Sequence, residues 1–290
     1  MKFGIVPINV GDLARPDAMV ALARKGEDVG LESVWTFEHV LVPHDYTSQY
    51  PYSRSGKMPG GPDTPFLDPL IALAHLAAAT SRLRLGTGVN ILPQANPLLM
   101  AKQVASLDVL SGGRMMLGVG VGWLREEFQA MGAPFERRGA RMDDYITAMR
   151  KVWRGETVEH RSEFLDWHGF KSQPTPVQQP NLPVVIGGAT PPALRRAGRL
   201  GDGWFAPTGG AEQLEALLPQ VHQAARDAGR DPAAIEISAM WNYAKEGADS
   251  VSRYADLGVH RLIVPVQALG ADGPAAGLDR LAEEVIAKHG

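Results

Sequence analysis

Short apolar runs rich in β-branched residues alternate along the chain with stretches whose apolar positions recur at helical spacing. The runs cover residues 3–8, 33–37, 83–89, 115–121, 183–186, 203–206, 235–240 and 261–266. Residues 17–29, 98–110, 139–153, 193–200 and 213–228 read as helices rich in Ala, Leu, Arg and Glu, and Gly30 and Gly112-Gly113 stand where left-handed C-terminal caps belong. Residues 69–79 are apolar almost throughout and read as a buried helix. Eightfold alternation of strand and helix implies a parallel sheet with right-handed crossovers, which closes most economically as a (β/α)8 TIM barrel. A doubly wound open sheet is the competing arrangement. A single barrel domain over residues 1–290 accounts for the whole length. Inserts at 43–65, after the second strand, and at 156–180, before the fifth, break the rhythm, and long loops after barrel strands fall on the catalytic face.

Composition narrows the chemistry. Lys+Arg 29 against Asp+Glu 32 leaves a formal net charge of -3 with no basic block, which argues against a nucleic-acid surface. Cysteine is absent, so disulfides, thiolate nucleophiles and Cys-ligated metals are excluded. His44, His75, His160 and His168 are scattered, with no H-E-x-x-H, so no metal site is expected; nor does a G-x-S-x-G elbow occur. The N-terminus reads straight into a strand, and no run is long and apolar enough for a membrane span, so a cytoplasmic protein without a signal peptide is expected.

Four stretches could carry chemistry. LRLGTGVN (83–90) places two glycines in a strand, which calls for a bulge, a flat ligand or a narrowed packing position. LGVGVGW ends in Gly118, Gly120 and Gly122; Trp123 stands where the third glycine of a dinucleotide fingerprint would fall, yet the exposed backbone suits an anionic or planar ligand. VVIGGATPP ends a strand at Gly187-Gly188 and opens a helix after Thr190, which reads as an N-cap before Pro191, a ready phosphate site or an ordinary capped helix. TFEH sets Glu38 and His39 at the end of the second strand, where an imidazole can move a proton at neutral pH.

Taken together, SVWTFEHVLVP, LGTGV, LDVLSGGR, GVGVGW and RLGDGWF resemble the bacterial luciferase-like monooxygenase superfamily, and more narrowly its F420-dependent oxidoreductases. The resemblance implies a deazaflavin or flavin at the barrel mouth. It places a third-strand bulge, often with a non-proline cis peptide, at Gly88-Val89 under the ring, with Thr87, Gly120, Gly122, Trp123 and Glu126 as further cofactor contacts. It places the phosphate at Gly187, Gly188, Ala189 and Thr190, and Glu38 and His39 facing the ring as the catalytic pair. The implied activity is hydride transfer between coenzyme F420 and a small organic molecule; an FMN-dependent monooxygenase using O2 and a cofactor-binding protein without turnover are the alternatives. The sugar-phosphate dehydrogenase branch carries an acidic proton donor where Trp123 stands and an aromatic residue where Pro43 stands, so glucose 6-phosphate is a poor candidate. Tyr46, Tyr50, Tyr52 and Met58 suit an apolar or aromatic substrate. The resemblance further implies a homodimer through the helices around 72–79 and 100–110.

Overall fold

The computed structural model describes residues 1–207 and 209–290. Eight strands close a barrel: β1 (Lys2–Val6), β2 (Ser33–Thr36), β3 (Arg84–Thr87), β4 (Met115–Gly120), β5 (Val184–Gly187), β6 (Gly203–Ala206), β7 (Glu236–Met240) and β8 (Arg261–Pro265). All neighbours are parallel, and β8 closes on β1 with Lys2 opposite Arg261. The helices that matter below are α1 (Pro16–Asp28), α2 (Pro69–Ala79), α3 (Pro97–Leu110), α4 (Arg125–Ala130), α5 (Arg138–Trp153) and α6 (Pro191–Leu200). Among the described residues no helix is long and apolar enough to cross a membrane.

Strand alternation sorts the core into two layers. Phe3, Ile5, Val34, Leu85, Leu117, Val184, Ile186, Leu262 and Val264 point outward into the main core beneath the helices. Val6, Trp35, Met116, Val185, Phe205 and Ile263 fill the barrel itself. Trp35 spans the interior and meets Phe205 at 5.3 Å between ring centroids. A Cβ on Gly86 would collide with the Trp35 ring, and one on Gly4 would stand 3.2 Å from its Nε1. Gly86 is therefore a packing glycine, required by the indole opposite it.

The two inserts occupy opposite ends. Residues 43–65 follow β2 and lie at the mouth, as expected. Residues 156–180 contain an antiparallel hairpin, Val158–Arg161 with Asp166–Phe170, that the sequence pattern did not predict. This stretch follows α5, and Gln178 accepts from the Arg84 guanidinium at the start of β3, which sets it at the closed end. The expectation of a buried helix over 69–79 is corrected in part: α2 buries Leu70, Leu73 and Leu76 but leaves Ile71 71% exposed.

Candidate active site

At the open end, Asn9 braces the segment that carries the candidate pair. Its side-chain oxygen accepts from the Phe37 amide at 2.9 Å, and its Nδ2 donates to the carbonyls of Phe37 and Leu67 at 2.9 and 2.7 Å. Asn9 is fully buried, so this bracket fixes where the chain leaves β2. Glu38 and His39 follow directly, and their side chains diverge.

Glu38 reaches across to the chain beyond β3. One oxygen accepts from Asn90 Nδ2 at 2.7 Å and the other from the Ile91 amide. Burial pushes its carboxyl up to about 7, against the two hydrogen bonds that favour its charged form, with Glu127 and Asp68 adding repulsion. His39 turns the other way. Its Nδ1 lies 3.0 Å from Glu127 Oε2, and Glu127 Oε1 accepts from the Val40 amide at 2.6 Å. Phe66 and Trp123 meet the imidazole edge-on, at centroid distances of 5.6 and 5.9 Å. The dyad thus joins β2 to α4.

The Gly88-Val89 peptide is cis, at the point where β3 leaves the barrel. Val89, the second residue of that peptide, is half-buried there. Its γ-methyls fill a socket lined by glycine: a Cβ on Gly120 would stand 2.6 Å from Cγ2, and one on Gly187 would stand 2.7 Å from Cγ1. A Cβ on Gly118 would overlap the Thr87 carbonyl. The glycines of β4 and β5 are therefore accounted for by the bulge they receive, and the bulge leaves both Gly88 and Val89 partly exposed at the mouth.

Contacts within the protein engage Thr87, Glu126 and Gly122, and the capping bond expected of Thr190 is not made. The Thr87 hydroxyl is fully buried and donates to the Gly118 carbonyl at 2.6 Å, so its side chain fastens β3 to β4 and does not face the mouth. Glu126 is occupied by the 43–65 insert: it accepts from the Thr47 and Ser48 amides at 2.7 and 3.3 Å and from the Ser48 hydroxyl at 2.7 Å. Burial would raise its carboxyl, but these donors hold it down at about 2. Thr190 occupies the N-cap position of α6 without a side-chain capping bond. Pro191 and Pro192 remove two backbone donors from the first turn, and Trp204 Nε1 donates to the Gly188 carbonyl at 2.8 Å. Gly122 packs against Phe128 and Ile91, where a Cβ would come within 2.6 and 2.7 Å, so it too is a packing glycine.

Trp123 organises the insert. Tyr46 and Tyr50 meet it at 5.5 and 5.2 Å, Tyr52 meets Tyr50 at 5.5 Å, and Met58 is buried below with its amide donating to the Tyr46 hydroxyl at 3.1 Å. Sequence reasoning weighed Glu127 beside Glu126 as a cofactor contact or a solvated helix residue, and passed over Asn90 and Gln94. Asn90 Oδ1 and both polar atoms of the Gln94 side chain are buried without a partner.

Residues 1–285 match the family described as luciferase-like monooxygenase. The chain belongs to that family. It is an enzyme of this superfamily, built on the (β/α)8 barrel described above. An uncharacterized protein of Mycobacterium tuberculosis is 34% identical over 93% of this chain and 94% of its own length. The F420-dependent glucose-6-phosphate dehydrogenase of Gordonia bronchialis is 32% identical over 76% of this chain and 62% of its own length. Two solved structures share the fold: an F420-dependent secondary alcohol dehydrogenase in complex with an F420–acetone adduct, with a TM-score of 0.80 at 16% identity, covers 100% of this chain and 99% of its own. A monooxygenase from Streptomyces bottropensis has a TM-score of 0.75 at 23% identity, covering 100% of both chains.

Proposed function

We propose that this enzyme transfers a hydride between coenzyme F420 and a small apolar or aromatic organic substrate. The observation that carries the reading is the mouth itself: an imidazole held by a buried carboxylate, tied through its neighbour Glu38 to the bulge after β3. The F420-dependent dehydrogenase of Gordonia, at 32% identity, supports the choice of F420.

The residues present fit such a group. Gly88 is half-exposed and carries no side chain, and Phe205 would stand 3.0 Å from a Cβ there, so a planar ring could approach the backbone while a larger residue would be excluded. The unpartnered Asn90 Oδ1 and Gln94 amide lie just beyond the bulge and supply polar atoms for a ring edge. Gly187, Gly188, Ala189 and Thr190 precede α6 and would take the phosphate, with the Ala193 amide next after the two prolines. Bound F420 supplies the two-electron chemistry. The chain supplies orientation, a proton site at His39, and exclusion of water by the aromatic insert. Trp123 with Tyr46 and Tyr50 makes a wall suited to flat or apolar compounds and offers no carboxylate where the sugar-phosphate enzymes carry one.

The test is purification from an F420-producing host, with absorption spectrum and mass of the bound chromophore, followed by titration of stripped protein with F420 and with FMN. Micromolar or tighter F420 binding is expected. FMN uptake with substrate-dependent O2 consumption would replace this reading with a monooxygenase, and F420 uptake without hydride exchange across a broad panel would make the protein a carrier. His39→Ala is expected to leave cofactor affinity within an order of magnitude while slowing transfer by about 10² to 10⁴. We propose in addition a homodimer through α2 and α3, whose outer faces leave Ile71 71%, Leu99 57% and Leu110 73% exposed. A monomer by light scattering at micromolar concentration would defeat that assignment.

A further inference from the structure

Glu127 is the one carboxylate of α4 directed inward, with its side chain 2% exposed. An ionised carboxylate only accepts hydrogen bonds. With the Val40 amide on one oxygen, the other is left for His39 Nδ1, so the proton of a neutral imidazole stands on Nδ1 and the lone pair on Nε2. Nε2 has no partner among the described residues and is not one of the fully buried unpaired atoms. It therefore remains within reach of a molecule in the mouth, on a ring that packs against Phe66 and Trp123.

We propose that Glu127 is a positioning residue that holds His39 as its Nδ1–H tautomer and presents Nε2 to the substrate as the proton acceptor; this rests on the oxidoreductase reading above. With F420 bound as hydride acceptor, Nε2 would take the substrate O–H proton while the O–H electron pair closes the C=O bond and the C–H bond is given up as hydride. In the opposite direction the same nitrogen returns the proton. The imidazolium formed already directs its Nδ1–H at a carboxylate, so the developing charge meets a group in place. A purely structural clamp on the Val40 amide would need only a neutral acceptor. Instead a second carboxyl stands near enough to Glu38 to add to the repulsion on it, an arrangement that becomes favourable when positive charge appears on His39.

Glu127→Gln tests this with almost no change of shape. The Val40 amide can only donate, so the Gln oxygen stays on it and the NH2 turns to His39, making Nδ1 an acceptor and moving the proton to Nε2. Ring 15N shifts of histidine-labelled protein are expected to report Nδ1–H at His39 in the wild type and Nε2–H in the variant. Carbethoxylation of His39 by diethyl pyrocarbonate, followed by mass spectrometry, should slow by about tenfold or more, because the reagent needs the Nε2 lone pair. The exposed His168 serves as the internal control. In F420-loaded enzyme the variant should lose about 10²-fold in hydride transfer at unchanged F420 affinity. An Nε2–H tautomer in the wild type overturns the proposal without any variant, and so does a swapped tautomer with undiminished transfer. Wild-type protein that takes up no F420 defeats the functional reading alone, since the tautomer is measured without cofactor.

Discussion

The two ends of the barrel treat buried charge in opposite ways. At the closed end Arg261 is fully buried and donates to both oxygens of Glu32, at 2.7 and 2.6 Å, to Ser238 at 2.8 Å and to Glu236, which Lys2 also reaches at 2.8 Å. Burial alone would raise Glu236, but Arg261 and Lys2 bring it down to about 2. At the mouth, Glu38 is held by neutral donors only, and burial takes it up to about 7. The closed end pairs the buried Arg261 with two carboxylates and so contributes rigidity. The other keeps ionisable groups under-compensated, which is the condition for moving protons near neutral pH.

The sharpest way to break that contrast is Arg261→Met. It leaves Glu32 and Glu236 without their partner and should cost about 3–5 kcal/mol in urea denaturation, while protein that remains folded keeps its F420 affinity. A loss below about 1 kcal/mol would mean that the closed end is not held by charge pairing. Next in size is Gly120→Ala, whose new methyl would press on Val89. Overpacking of about 1–3 kcal/mol and weaker F420 binding are expected, with both largely restored by adding Val89→Ala. Independent, additive effects of the two substitutions would dismantle the glycine socket.

Glu38→Gln gives a smaller effect with a definite sign. Because folding raises Glu38 from 4.5 to about 7, its stabilising contribution is complete below pH 4.5 and is lost as pH rises through 7. Glu236 runs the other way, contributing above 4.5 and losing its contribution as pH falls towards 2. The wild type should therefore lose about 1–2 kcal/mol between pH 5 and 8 that the Gln variant does not lose, once partial exposure is allowed for. Parallel melting curves for the two proteins across that range would place Glu38 in an environment like water. Smallest is Glu126→Ala, expected to lower global stability by less than about 1 kcal/mol. Its readout is local: trypsin should cut faster at Arg54 and Lys57 while the remainder of the barrel stays protected.

The strands and most helices were legible because each rests on a local period, and the mouth position of Glu38 and His39 followed from their place after β2. What stayed hidden depends on depth and direction. Gly86 and Gly88 lie two residues apart on the same inward face, and only the indole of Trp35, from another strand, separates a packing glycine from one at the mouth. Glu126 and Glu127 differ by about 100° around a helix of under two turns, too short for periodicity to say which one turns in. The apolar sequence of α2 gave no hint that Ile71 faces outward, because no polar stripe interrupts it. The hairpin at Val158–Arg161 was obscured by its sequence, which alternates weakly and sits among prolines. Thr190 shows that an N-cap residue and a capping bond are separate facts: Pro192 removes the donor at the second helical position, and the Ala193 amide at the third is not taken up by the Thr190 hydroxyl.

The adjacency of Glu126 and Glu127 has a mechanical consequence. One grips Thr47 and Ser48 of the aromatic insert, the other grips His39, and both project from the same short, rigid α4. The insert and the imidazole are thereby geared to one shaft. Both contacts therefore take their position from α4: displacing that helix would move the Thr47–Ser48 anchor and the partner of Nδ1 together.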